Sequence, residues 1–341
     1  MNSHLPRRKP GVAAQPVAAQ PVAALFVLSL ALSGCGSAED PAGAAQDDGD
    51  GRLDIVASTD VWGSVVSAVG GDAVEVNSII DDPSADPHSY ESTPSEAAEV
   101  LGADLVVYNG GGYDEFMTQV LESEDDEVPA IEAFTFLDEA ETDAEGESHS
   151  DDEEGEGGGH EGHGHAGGAN EHVWYDLATV EAVAEKTAEQ LGELDPDNAE
   201  MFTANAAAFH EEIDTLADQV AAIEQQRAGT RVTVTEPIAF HLIEAAGLDD
   251  VTPSEFVEAV EEESDPSAAA VAETRQLVAD PQVAALIFNP QTETPVTGQV
   301  RSDAEAAGMP VVEMAETLPD GTSYVDWMSG QVDALETALR E

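Results

Sequence analysis

The chain has 341 residues and carries 10 lysines and arginines against 72 aspartates and glutamates, so its formal net charge is −62 at pH 7. This charge excludes nucleic-acid recognition through basic patches and argues against docking on anionic lipid through a basic face. The length and the 42% hydrophobic content predict two domains with enough apolar surface for a core. The negative charge attracts cations, and it would equally serve solubility or adaptation to high salt.

The N-terminal segment has the pattern of a bacterial export signal. Three basic residues at 7–9 precede an apolar run at 22–32 with a single polar interruption. A membrane-spanning helix needs about 20 apolar residues, so this shorter run fits a signal peptide covering residues 1–34. The run ends in the letters LSGC, which resemble a lipoprotein cleavage signal. The only cysteine, Cys35, is therefore predicted to carry a lipid that anchors the protein to the cell membrane on its extracytoplasmic side, with residues 35–52 as a flexible tether.

Short apolar strands alternate with segments of helical spacing from residue 53 onwards. In the first half, strands are predicted at 53–58, 73–80, 104–108 and 130–134, and helices at 61–69, 94–101 and 114–121. In the second half, strands are predicted at 231–235, 284–288 and 310–314, and helices at 237–246, 266–279, 296–307 and 324–339. This alternation predicts an α/β fold of parallel sheets flanked by helices.

A long helix is predicted between the two halves. The dipeptide Asp195-Pro196 is a helix-start signal, and apolar residues then recur at threes and fours from 202 to 223, which predicts a helix of 32 residues over 196–227. At 1.5 Å per residue such a helix spans about 48 Å, which exceeds the width of one small lobe. The sequence therefore predicts two α/β lobes, at 53–194 and 229–341, joined by one long rigid helix within 195–228.

Residues 138–170 interrupt the alternation. They contain twelve acidic residues, nine glycines and four histidines, and almost nothing apolar. Such a composition cannot form a packed core, so a disordered loop within the first lobe is predicted. Its histidines are His149, His160, His163 and His165. Either they bind metal weakly and exchangeably as an accessory loop, or the segment is a solvated acidic spacer.

Four polar side chains lie near the predicted ends of strands, where parallel sheets usually bind their ligands. His88, Glu236 and Glu316 follow predicted strands, and His172 comes just before a helical segment. Ligands of open parallel sheets lie at the carboxyl ends of the strands, so these four could converge in the cleft between the lobes. Two imidazoles and two carboxylates suit a divalent transition metal. Spacing alone does not establish the site, because any α/β protein has polar residues at its strand ends.

Other histidines and several aromatic residues are expected to have structural roles. His241 is expected to be half-buried and not a ligand, because helical spacing turns it away from the strand-end glutamate. His210 is expected to be solvated on the long helix. The aromatic residues Trp62, Trp174 and Tyr90 could line the cleft or pack in the core.

Four sequence motifs carry a family resemblance. They are DPHSYESTPS at 86–95, ADLVVYNG at 103–110, EHVW at 171–174 and SDPS at 264–267. In this order they resemble the zinc/manganese solute-binding proteins of ABC importers, typified by ZnuA and TroA. The resemblance extends over residues 53–341.

The resemblance implies a metal-ligand set. His88 and His172 match the first two histidine ligands of the family. Glu236 matches the third ligand, which is His in zinc-type members and Glu in manganese-type members. Glu316 matches a position that is usually Asp, and its side chain is one methylene longer. The pair Asn170-Glu171 stands where the family usually has Asp-Pro.

The expected function is that of a lipid-anchored receptor that captures a divalent transition metal between its lobes and delivers it to a membrane permease and an ATPase. The chain has no P-loop motif, so the ATPase is expected to be a separate chain. A monomer without catalytic activity is expected, because four protein ligands leave no position for an activated water. The alternatives are a zinc hydrolase with Glu236 or Glu316 as general base, which would lack the H-E-x-x-H motif, and a surface adhesin with an incidental metal.

The identity of the metal follows from two opposing observations. Two histidines and two glutamates favour manganese or iron, whereas the histidine-rich loop and the general order of metal affinities favour zinc. Zn²⁺ is therefore the expected ion, with Mn²⁺ as the alternative.

Overall fold

The computed structural model describes residues 51–82, 85, 87–123, 128–137, 169–262 and 264–340. The predicted signal peptide, most of the tether, Cys35 and the four histidines of the acidic loop lie outside these residues. Among the helices within them, none is long and apolar enough to cross a membrane.

The N-terminal lobe is built on a four-stranded parallel sheet. Its strands are β1 (Leu53–Thr59), β2 (Val74–Ile80), β3 (Leu105–Tyr108) and β4 (Ala130–Glu132), in the order β2-β1-β3-β4. Its helices are α1 (Asp60–Gly70), α2 (Pro94–Gly102) and α3 (Glu115–Leu121). Strand β3 is buried on both faces, with Leu105 and Val107 in one apolar cluster and Val106 in another. This double burial explains why its sequence is an uninterrupted apolar run.

The C-terminal lobe repeats the same strand order. Its strands are β5 (Arg231–Val234), β6 (Asp249–Asp250), β7 (Val283–Phe288) and β8 (Val311–Glu313), in the order β6-β5-β7-β8. Its helices are α6 (Phe240–Ala245), α7 (Ser254–Glu261), α8 (Ala268–Leu277), α9 (Pro295–Ala307) and α10 (Tyr324–Ala338). Strand β7 divides its side chains in the same way, with Ile287 in the large central cluster and Leu286 in a smaller one. The predicted fold class, two parallel α/β lobes, is confirmed.

Two packed helices connect the lobes, α4 (Leu177–Leu194) and α5 (Ala199–Arg227). The apolar stripe of α5 is buried in one cluster that also contains Ile55 of the first sheet and Val232 of the second. With 29 residues, α5 spans about 44 Å. It therefore joins both sheets to one continuous core, as the prediction of a long connecting helix requires.

The N-terminal end of the long helix differs from the prediction. Helix α5 begins at Ala199, and Asp195 lies in the preceding turn, where its carboxylate accepts a hydrogen bond from Asn198 Nδ2 at 2.5 Å. The Asp-Pro signal thus marks the turn between two helices. Helix α4 is the helical segment expected after His172, and its bounds were not predicted because its buried face is rich in small residues. The boundaries predicted for the two lobes stay a prediction.

Candidate metal centre

Three of the four predicted ligands meet at the facing ends of the two sheets. His88, His172 and Glu316 each offer a ligand atom, and these three atoms all lie within 4.8 Å of one another. His88 Nε2 is 3.8 Å from Glu316 Oε2. His172 and Glu316 are 2% and 1% exposed, whereas the side chain of His88 is 23% exposed. Two members of the group, His172 and Glu316, are therefore buried, and His88 lies on its solvent-facing side.

Glu236 lies beside this group but not within it. Asn289 Nδ2 donates to Glu236 Oε1, and Thr292 Oγ1 donates to Glu236 Oε2 at 2.5 Å. The same Asn289 amide donates to Glu316 Oε1 at 2.7 Å, so one donor bridges the two carboxylates. Asn289 follows β7, the strand between β5 and β8, and the two glutamates follow those flanking strands. The sequence analysis missed Asn289, although a polar residue directly after a buried strand was the available signal.

The ring of His172 is held in one orientation by Asn170. Asn170 Oδ1 accepts from the backbone N–H of His172 at 3.0 Å and lies 3.1 Å from its Nδ1. The Asn170 Nδ2 donates to the carbonyl of Pro237 in the other lobe at 3.1 Å, which fixes the amide oxygen on the histidine side. An amide oxygen only accepts, so Nδ1 carries the hydrogen and Nε2 keeps its lone pair for a metal. Asn170 can thus orient the imidazole as the usual aspartate would, with one negative charge fewer.

The two other histidines of the described chain make structural contacts. His241 is half-buried, and its Nε2 donates to the carbonyl of Asn170 at 3.0 Å, since a carbonyl can only accept. It supports the His172 segment from the second lobe. His210 lies on α5 with a side chain that is 41% exposed, and it contacts Glu181 of α4. It does not belong to the group at the strand ends.

Aromatic rings surround the imidazoles on the N-terminal side. Tyr113 donates its hydroxyl hydrogen to Glu316 Oε2 at 3.1 Å, and its ring lies edge-on to His88 at 4.9 Å. Trp174 is fully buried, 5.2 Å from the ring of His172. Tyr113 was not predicted, because nothing in its sequence neighbourhood indicates a contact across the lobes.

The two remaining aromatic candidates pack away from these imidazoles. Trp62 is fully buried and donates to Asn109 Oδ1 at 3.3 Å. Tyr90 packs on Phe116 at 5.1 Å, and its hydroxyl donates to Glu96. Of the three aromatic residues considered from the sequence, only Trp174 contacts a ligand histidine.

A second pair of carboxylates adjoins the same imidazole. Glu171, His172 and Glu261 offer ligand atoms that also lie within 4.8 Å of one another. Burial raises the pKa of Glu261 to about 9, and the charge of Glu171, the hydrogen bond between the two carboxyl groups and the charges of Glu236 and Glu316 act in the same direction. In the absence of a cation, Glu261 therefore holds a proton more tightly than an ordinary glutamate does. The sequence analysis missed it, because it sits in a run of glutamates at the end of α7.

The arrangement suits a dehydrated divalent cation. Two imidazoles come from the N-terminal lobe, and carboxylates approach from the C-terminal lobe. Buried carboxylates held this close repel one another unless protons or a cation balance them. A metal ion between the lobes would provide that balance.

Comparisons with known proteins agree with the fold and identify the family. The family model described as "ZnuA: Zinc-uptake complex component A periplasmic" matches residues 55–338. The manganese-binding lipoprotein MntA of Halalkalibacterium halodurans is 30% identical over 232 residues, which are 67% of each chain. The high-affinity zinc uptake system protein ZnuA of Bacillus subtilis is 26% identical over 325 residues, covering 92% of this chain and 97% of that protein.

A solved structure gives the same fold. The periplasmic zinc binding protein TroA from Treponema pallidum matches with a TM-score of 0.63 at 19% identity, over 85% of this chain and 99% of the other. The family match extends over almost all of the described residues. The chain belongs to the family of the periplasmic zinc-uptake component A, the metal-binding solute-binding proteins of ABC importers.

Proposed function

We propose that this protein captures a zinc ion between its two lobes and delivers it to the permease and ATPase of an ABC importer. The observation that carries the proposal is the convergence of His88, His172 and Glu316, contributed by both lobes, with ligand atoms within 4.8 Å of one another. Glu236 is the fourth ligand, reached when a metal ion competes with Thr292 for its carboxylate. Two imidazoles and two carboxylates close a tetrahedral shell and leave no position for an activated water, which favours carriage over catalysis.

Zinc is favoured by the compactness of the ligand group. Ligands on tetrahedral zinc at about 2.0–2.1 Å from the ion lie roughly 3.4 Å apart. The 3.8 Å between His88 Nε2 and Glu316 Oε2 is close to that separation. The fixed Nδ1–H of His172 also presents Nε2 as the ligand atom, as zinc-bound imidazoles usually do.

Manganese is the second candidate, for two specific reasons. The relative MntA is named a manganese-binding lipoprotein. In this chain Glu171 and Glu261 lie within reach of His172, and these extra oxygen donors would allow a higher coordination number. A manganese ion would then be coordinated by Glu171 or Glu261, which a tetrahedral zinc ion would not bind.

The remaining parts of the proposal rest on the sequence and the relatives. MntA is named a lipoprotein, which supports lipid attachment at Cys35 and an extracytoplasmic position at the cell membrane. The monomeric state and the weak metal binding by the loop histidines stay predictions.

The test is a titration of metal-free protein with zinc and with manganese against a competing chelator. Wild-type protein should bind one tight zinc ion. His88→Ala and His172→Ala should each weaken zinc binding at least tenfold, or about 1.4 kcal/mol, because each removes a nitrogen ligand. His210→Ala is the matched control and should keep the tight site.

Two results would overturn parts of this proposal. Unchanged zinc affinity in both His88→Ala and His172→Ala would show that the metal does not bind at this cleft. Tighter binding of manganese than of zinc, together with a loss of manganese affinity in Glu261→Gln, would establish the second candidate instead.

A further inference from the structure

Helices α4 and α5 bring one histidine and three carboxylates together outside the cleft. Glu181 and Glu185 are one turn apart on α4, and His210 and Asp214 are one turn apart on α5. Residues four apart share a face of a helix, so each pair points the same way. His210 Nδ1 contacts a carboxylate oxygen of Glu181, and His210 Nε2 is 3.4 Å from Asp214 Oδ2. The two pairs therefore face each other across the contact between the helices.

The ligand atoms are close enough for a shared ion. Glu181, Glu185 and His210 each offer an atom, and the three atoms lie within 4.8 Å of one another. Asp214 lies at the other ring nitrogen, Nε2, so it is a neighbouring carboxylate and not a member of this group. Glu181 and Glu185 of α4 and His210 of α5 can therefore give three ligands to one ion.

The charges of the group call for a cation. A single positive charge on the imidazole cannot balance three carboxylates, whereas a divalent ion balances two of them. The basic residues of the two helices are Lys186, which pairs with Glu189, and Arg227 in the last turn of α5. Lys186 directly follows Glu185 in the sequence, but its ammonium group pairs with Glu189, one turn further along α4. Arg227 lies at the far end of α5 from His210.

We propose that Glu181, Glu185 and His210 form a second, weaker site for a divalent transition metal such as zinc. One imidazole with carboxylates is a common donor set for this ion. The site is independent of the cleft and differs from the histidine-rich loop. It is weaker than the cleft site because the side chain of His210 is 41% exposed and Glu185 is exposed, so water competes for the ion. An ion bound there would tie α4 to α5, the helix that joins both sheets.

The experiment is a calorimetric zinc titration of the purified chain in which the four loop histidines are replaced by asparagine. This parent protein should show two classes of site, a tight one and one at least tenfold weaker. His210→Ala, and the double variant Glu181→Gln/Glu185→Gln, should lose only the weak class. Glu189→Gln, a change one turn further along α4, is the matched control and should keep both classes.

A thermal measurement completes the test. Zinc added beyond saturation of the cleft should raise the unfolding temperature of the parent protein but not that of His210→Ala. A parent protein with only one class of site would overturn the proposal, and so would a weak class that persists in His210→Ala. An intact tight class in the variants shows that they are folded. His172→Ala should lose only the tight class and keep the weak class. This result would show that the two sites bind zinc independently, so each proposal can fail without the other.

Discussion

Each lobe has an asparagine directly after the equivalent strand of its sheet, but the two side chains have different hydrogen-bond partners. Asn109 directly follows β3 and Asn289 directly follows β7, the strands that occupy equivalent places in the two sheets. In the N-terminal lobe, Asn109 Nδ2 donates to the backbone carbonyl of Glu171 at 2.8 Å, next to the candidate ligand His172. In the C-terminal lobe, Asn289 Nδ2 donates directly to the carboxylates of Glu236 and Glu316.

The difference follows from the kind of ligand that each lobe provides. A neutral imidazole can be buried without a charged partner, and it needs a fixed tautomer and a fixed backbone. A buried carboxylate needs hydrogen-bond donors of its own, because an isolated buried charge is costly. The N-terminal asparagine therefore holds the chain that carries a ligand, and the C-terminal asparagine stabilises the ligands themselves.

The largest effect should come from removing the buried anion of the C-terminal lobe. Glu316→Ala should weaken zinc binding by about a hundredfold, or about 2.7 kcal/mol, because it removes a charged ligand that is 1% exposed. Replacement of the partly exposed His88 by alanine should have the smaller effect. Competition titration with a chelator measures both variants. Equal losses would contradict the view that the anionic half contributes more to the affinity.

The two asparagines should separate affinity from stability. Asn289→Ala should weaken zinc binding by roughly tenfold, because it removes the donor shared by two ligand carboxylates. Asn109→Ala should instead lower the free energy of unfolding by about 1–3 kcal/mol, because it leaves buried groups without partners. Zinc titration and denaturant unfolding of both variants make the comparison. The proposed difference would fail if both variants lost affinity to the same extent with unchanged stability.

Partly buried carboxylates should make metal-free protein sensitive to pH. Glu261 has a pKa raised by burial from 4.5 to about 9, and burial likewise raises the pKa of Asp60, the first residue of α1, from 3.8 to about 6. The folded protein therefore holds protons that the unfolded chain releases. The stability of the metal-free protein should fall as the pH rises from about 4 to 9, with Asp60 acting below about 6 and Glu261 up to about 9.

Glu261→Gln should remove most of this fall above pH 6. The variant should unfold several degrees above the wild type at pH 8.5 and much closer to it at pH 5, because glutamine does not ionise. Calorimetric unfolding temperatures of metal-free proteins give the measurement. Glu262→Gln, which changes the exposed neighbour, is the control and should behave as wild type. Parallel pH profiles for all three proteins would contradict the assignment.

The smallest effect should come from the contact that crosses between the lobes. Tyr113→Phe removes the hydroxyl that donates to Glu316 and keeps the ring against His88. Zinc affinity should fall about threefold, since Glu316 keeps its bond from Asn289. Tyr90→Phe, whose hydroxyl bonds Glu96 outside the ligand group, should leave the affinity unchanged. A loss above tenfold in Tyr113→Phe would mean that the tyrosine itself binds the ion.

The fold class was predictable from the sequence, and so were the three candidate ligands, of the four expected, that the structure brings together. Parallel strands that are buried on both faces are apolar along their whole length, so strands such as β3 and β7 can be recognised in the sequence. His88, His172 and Glu316 were predicted because the carboxyl ends of such strands meet at one edge, and the motifs around them resemble a known family. The structure brings these three together. Glu236, predicted with them, lies beside them instead.

The other side chains around the candidate metal site could be identified only from the folded chain. Tyr113 and Glu316 are 203 positions apart, and Glu261 is one acidic residue in a run of several. No local pattern identifies such partners, because their proximity depends on how one lobe packs against the other. The start of α5 also depends on tertiary packing. Asp195 accepts a hydrogen bond in the turn between two packed helices and does not lie at the first residue of α5. Periodicity records which face of an element is buried, whereas contacts between distant elements depend on packing that the local sequence does not contain.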